Sequence, residues 1–166
     1  MRYWIGAAIA LFLALLQASS IEQFKVLGVT PNLLLVLLVS WLVVRGLDDV
    51  LPMIAVAGIT MGFVGLQTPG LVLLALLPIA GLGVVRELHV IHSDLMLVLA
   101  FVLFATVAYE SIIVATLIAS GGGYDVVAAL RSAIIPSALV NVILTPPVYV
   151  VMRLAKPALR RNRLAY

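Results

Sequence analysis

The residues able to do chemistry in this chain are few and widely set. Glu110 is the one carboxylate in the apolar stretch 95–120, with Thr106 one helical turn before it. Such an acid can hold a proton, grip a cation or clamp two helices, and each use requires protein or water around it. Ser137, Asn141 and Thr145 recur at four-residue intervals, which places three hydrogen-bonding groups on one helical face. Gly58, Gly62 and Gly65, spaced four and three apart, form another face with no side chains to keep a neighbour away. His89, His92 and Asp94 make an H-x-x-H-x-D string that raises the question of a metal. Without clear helical or strand context to hold three ligands, an exposed polar loop is the preferred reading there.

Other chemistries find no footing. The chain has no cysteine, so neither disulfides nor thiolate metal sites can form. No Ser/His/Asp order, no glycine-rich phosphate loop after a strand and no paired carboxylates on one segment occur. The residues suggest neither catalysis nor a cofactor.

What must position these groups is a bilayer. Hydrophobic residues make up 64% of the 166, arriving in six apolar blocks, well above the roughly half expected of a soluble domain. The expected architecture is all-α: an integral membrane bundle with spans at about 3–19, 28–44, 50–66, 70–85, 95–119 and 132–152, then a basic tail over 153–166. The first block ends near Ala18, Ser19 and Ser20 in a pattern similar to a cleavable signal peptide, but five further blocks make an uncleaved span the simpler reading. The second is problematic. Its core, 33–44, follows Thr30, Pro31 and Asn32, which look like a helix start with Thr30 as cap and Pro31 in the first turn; it would cover only about 18 Å, so it either begins nearer Val26 or re-enters without crossing. Gln67, Thr68, Pro69 and Gly70 form a tight turn between spans three and four. Pro136, Pro146 and Pro147 should bend the last span unless Ser137 or Thr145 compensates.

Charge selects the topology. With six crossings and both termini cytoplasmic, the inner side holds Arg2, Arg45, Arg86 and five tail cations, while Lys25 and Arg131 lie outside. That distribution obeys the positive-inside rule, and a re-entrant second block would invert it. Arg153, Lys156, Arg160, Arg161 and Arg163 are expected against anionic lipid. The tail is too short and too tightly tethered for nucleic acid.

These boundaries place Glu110 and Asn141 at about the same depth, roughly 14 Å from the outer ends of their helices. A hydrogen bond between them is therefore expected, with the acid in its neutral form. Its first meaning is a polar clamp, with recognition of a partner helix or proton and substrate handling as the others. The glycine face is first a seat for one of the chain's own helices and second a seat for another protein's.

Several motifs resemble those of the bacterial rod shape-determining MreD family: Pro31-Asn32 before a leucine-rich run, Arg45-Gly46 closing it, Gly62-Phe63 with Gly65-Leu66, and Pro136 to Tyr149 with Asn141 and a proline before a basic tail. The likeness spans most of the chain, though its motifs are loose and leucine-rich. Family members often carry an aspartate soon after the Gly-Phe-x-Gly-Leu stretch. Gln67 and Thr68 occupy that region here, so no role of that acid carries over. The resemblance implies a non-enzymatic membrane scaffold subunit of the cell-wall elongation machinery in the bacterial cytoplasmic membrane, partnered by the bitopic protein MreC. It also implies links to MreB, RodA and a class B penicillin-binding protein, and a fold similar to the S-component-like substrate-capture subunits of vitamin uptake systems. A small-molecule binding subunit of a transporter is the alternative; a membrane enzyme acting on lipid-linked wall precursors comes third.

Overall fold

A computed structural model of the chain describes residues 2–19, 25, 26, 28–65, 68–87, 94–121 and 125–160. Its elements are α1 (Arg2–Ser19), α2 (Leu33–Arg45), α3 (Leu47–Val64), α4 (Pro69–Glu87), α5 (Asp94–Ala119), α6 (Val126–Ala129), a π-helical turn (Leu130–Ile134) and α7 (Ile135–Arg160). The only β pairing among the described residues is an isolated bridge between Val26 and Val29. Among the described residues, four helical stretches are long and apolar enough to cross a membrane: Leu47–Val64, Pro69–Arg86, Asp94–Ala119 and Val126–Ala155. Trp4–Ala18 and Leu33–Arg45 are shorter apolar helices. Phe63, Ile143 and Leu154 stand bare on the exterior, as suits a protein whose surroundings are lipid.

The shortest long helix lies at the centre. Residues 34–43 of α2 are all buried, because α2 touches α1, α3, α4, α5 and α7. A helix apolar on every side, as the sequence of α2 is, can be stable only where neighbours enclose it. At 13 residues it is about 20 Å long. The preceding residues 28–32 are not helical, which corrects the expected span over 28–44. The cap is Asn32, not Thr30: the Asn32 side chain accepts the Leu35 N–H at 3.0 Å. The helix resumes as α3 after the single residue Gly46, whose φ of 102° is a conformation that L side chains rarely adopt.

The bundle has two ends. At the near end lie the start of α1, the finish of α2 and the start of α3; at the far end, the finish of α1, the start of α2 and the finish of α3. Gly6 marks the near end, where an added Cβ would stand 3.1 Å from the Met53 sulfur and 3.7 Å from the Trp41 ring. Gly6, Ala10 and Ala14 are all buried at four-residue spacing, so small side chains let α1 lie closely along the core.

The α3–α4 hairpin answers the question of the glycine face. A Cβ on Gly58 would come 3.2 Å from the Leu73 Cα and closer still to its side chain, and one on Gly62 would collide with the Pro69 backbone. The face is occupied by this chain's own α4. Gly62 cannot receive a partner helix, and the reading as an intermolecular seat is withdrawn at these two positions. Gly83 of α4 returns the contact lower down, where a Cβ would meet the Leu47 side chain at 2.7 Å. Pro69 opens α4, a position that needs no backbone N–H.

Helix also starts earlier at the end of the chain than expected, at Val126 and not 132. In the π-helical turn the Ile135 N–H donates to the Leu130 carbonyl five residues back. This wider turn lies directly ahead of Pro136, where a proline ring crowds the carbonyl four residues earlier. Beyond it α7 continues through Pro146 and Pro147, and Thr145 donates to the Asn141 carbonyl at 2.7 Å. Gly62→Ala should destabilise the bundle by about 1–3 kcal/mol through overpacking, measured as earlier unfolding in a detergent thermal scan. Gly62→Leu should fail to give a monodisperse protein.

Candidate functional site

The polar groups converge at the far end, around the break before α2. A chain that enters the membrane body without helical bonds must satisfy its backbone from elsewhere. Gln17, in the last turn of α1, donates its Nε2 to the Pro31 carbonyl at 2.8 Å. The Asn32 N–H is taken at 2.9 Å by the Asn141 Oδ1 of α7. Asn141 then passes its own Nδ2 hydrogen to the Thr106 hydroxyl of α5 at 3.1 Å. One amide thus ties three helices together, with neither Asn141 nor Thr145 exposed at all and Thr106 only 1% exposed.

This geometry corrects the pairing of Glu110 with Asn141. Asn141 lies opposite Thr106, and the Glu110 carboxyl lies beside the Ser137 hydroxyl. The helices are antiparallel, so moving four residues on from Thr106 to Glu110 means moving four back from Asn141 to Ser137. The clamp between α5 and α7 exists, but its register is one turn from the expected one. The cause is the earlier start of the last helix, which moves every residue along it relative to α5.

Glu110 is half-buried beside a cavity of about 370 Å³. The polar lining comes from Gln17, Thr30, Asn32, Tyr109 and Glu110, and Met61, Val64 and Ile113 supply apolar wall. Gly65 also lies there, where it closes α3 by donating its N–H to the Met61 carbonyl at 2.8 Å. It therefore stands apart from Gly58 and Gly62, which pack on α4. Gln17 is only 8% exposed, and its Oε1 has no hydrogen-bond partner. No lysine, arginine or histidine is among the described lining residues.

At the near end, charge finishes what the far end begins. Arg86 of α4 donates Nε to the Val43 carbonyl at 3.0 Å, supplying a cation where the α2 dipole is negative. Arg45 pairs with the buried Asp49 at 3.7 Å and lies 5.3 Å from the Trp41 ring centre. Arg153 is exposed on α7, and the helix backbone continues through Lys156 and Arg160. Arg161 and Arg163 lie outside the described residues, as do His89, His92 and Gln67. Asp94 opens α5. Among the described residues no three His, Cys, Asp or Glu are grouped to hold a metal.

No family model, curated protein or solved structure matches this chain. The site must be read from its own residues.

Three roles escaped the reading of the sequence. Gln17 was visible as the only amide in the first apolar block, but its role depends on the position of Pro31, far along the chain. Asn32 belongs to the expected helix start, but as neither the cap nor the partner of Asn141. Arg86 was counted for topology alone, since nothing local connects it to the end of α2. Asn141→Leu strands the Asn32 N–H and should cost about 1–3 kcal/mol. Thr106→Val removes one neutral bond worth about 0.6 kcal/mol, so thermal unfolding should rank the leucine variant clearly lower.

Proposed function

We propose that the chain is a non-enzymatic scaffold subunit of the bacterial cell-wall elongation machinery, acting with MreC in the cytoplasmic membrane. The observation that carries this reading is the bond from Asn32 to Asn141. Pro31-Asn32 and Asn141 are among the motifs by which the sequence resembles the MreD family, and they meet at the start of the central helix. Arg45, Gly46 and Gly62 likewise hold structural positions at helix ends and crossings. The resemblance thus rests on residues that build a fold and not on leucine content alone.

In this reading six helices cross the bilayer, α1 and α2 completing the set, in an arrangement like the S-component fold. The near end faces the cytoplasm, where Arg45, Arg86 and the basic residues following 152 meet anionic lipid. Since α4 fills the glycine face, the surface offered to the single membrane helix of MreC is the outward side of α7, with Leu139 and Ile143 beside Pro146 and Pro147. MreB, RodA and a class B penicillin-binding protein would be reached through that assembly. The cavity beside Glu110 favours a second reading, a small-molecule binding subunit, because ligand sites combine an apolar wall with a few convergent polar groups.

Gentle detergent extraction followed by mass spectrometry of the bound proteins tests the first reading, and MreC should be recovered. Ile143→Trp should reduce that recovery several-fold without lowering the unfolding temperature. Full recovery with the tryptophan in place would remove α7 as the docking surface, and absence of MreC from the wild-type extract would refute the scaffold reading.

A further inference from the structure

We infer that the far-end cavity is a binding site for a small organic cation, an amine whose N–H groups meet acceptors and whose carbon body lies on the apolar wall. The inference rests on the second reading above, that the cavity takes a ligand, and adds the ligand's class. Gln17 supplies the first acceptor. Its Nε2 is committed to the Pro31 carbonyl, which fixes the amide and leaves Oε1 as an acceptor with no donor, in a side chain more than nine-tenths buried. Buried polar atoms are ordinarily paired. The donors already in this wall, on Thr30, Asn32 and Tyr109, do not bond Oε1, which leaves that acceptor for a donor on a ligand.

The second acceptor is Glu110. It contributes a carboxylate to the same cavity, with the Ser137 hydroxyl beside it. The neutral acid can hand its proton to an entering amine, and the carboxylate–ammonium pair so formed attracts far more strongly in low dielectric than in water, while the described lining offers no basic side chain to compete for it. Anionic ligands are disfavoured for the same reason. Thr30 and Asn32 add hydrogen-bonding capacity at the edge, while Met61, Val64 and Ile113 offer contact to hydrocarbon. A volume of about 370 Å³ suits a molecule of modest size.

The probes are phenethylamine, 2-phenylethanol and 3-phenylpropionate, which share a ring and differ in the head group. Each is titrated calorimetrically into the full chain in lipid nanodiscs, with empty discs subtracted. Phenethylamine should bind roughly tenfold or more tightly than the alcohol, the ratio that one hydrogen bond to a charged group supports, and the carboxylate should not bind. Glu110→Gln should abolish the preference for the amine. Ile113→Trp, which fills the cavity from its apolar side, should remove binding of both amine and alcohol while the unfolding temperature is retained. Should Glu110→Gln fail to fold, the three head groups on the wild-type protein and the tryptophan variant still decide the matter. Equal binding of amine and alcohol, lost in Ile113→Trp, would overturn the cationic class but keep a ligand cavity. No binding of any probe to the folded protein would overturn both, leaving a pocket of water.

Discussion

The rest of the structure depends on how the backbone just before α2 is satisfied. Residues 28–31 enter the body of the bundle without helical hydrogen bonds of their own, and hydrocarbon offers none in exchange. Gln17 donates to the Pro31 carbonyl, Val26 and Val29 pair with each other, and Asn141 takes the Asn32 N–H, while the Asn32 side chain caps Leu35. Because Asn141 is itself held by Thr106, the same amide fixes α7 against α5 while it fixes the start of α2. At the other end Arg86 closes α2 from α4. The central helix is thus gripped at both ends by side chains from its neighbours, and its sides need only pack.

Packing then follows two rules. Where helices cross closely, one of them contributes glycine or alanine: Gly6, Ala10 and Ala14 on α1, Gly58 and Gly62 on α3, Gly83 on α4. Where they are bonded, the pair is Thr106 with Asn141, one turn from Glu110 beside Ser137. Lipid tails are as apolar as leucine, so close approach and hydrogen bonds must hold the helices together. The unusual residues in this chain serve mostly that purpose. Glu110 is the exception, since beyond Ser137 it also faces open space.

Much of this was legible in the sequence. The helical class follows from block length and hydropathy, and α5 falls within one residue of its expected limits. The stripe of Ser137, Asn141 and Thr145 was recognisable as inward-facing, because polar groups four apart on an apolar helix have nowhere else to go. What was not legible is register. The depth of Asn141 was counted from a start at 132, whereas helix begins at Val126 and passes through a π-helical turn. Hydropathy gives no warning of either, since the polar and charged residues near 131 read as loop. The glycine face carried an analogous ambiguity: spacing shows that something approaches closely, but not which helix does so. Gln17 and Arg86 act over long sequence separations, and no local pattern reports that.

The enclosed position of α2 also governs how the protein is made. Of its ten consecutive buried residues all but Ser40 are apolar or aromatic, yet its length falls short of the roughly 30 Å hydrocarbon layer. Mismatch of that size is relieved by association with other helices. The bond that fixes its start comes from Asn141 of α7, itself held by Thr106 of α5, so the lock on the central helix closes only with the part of the chain that is synthesised last.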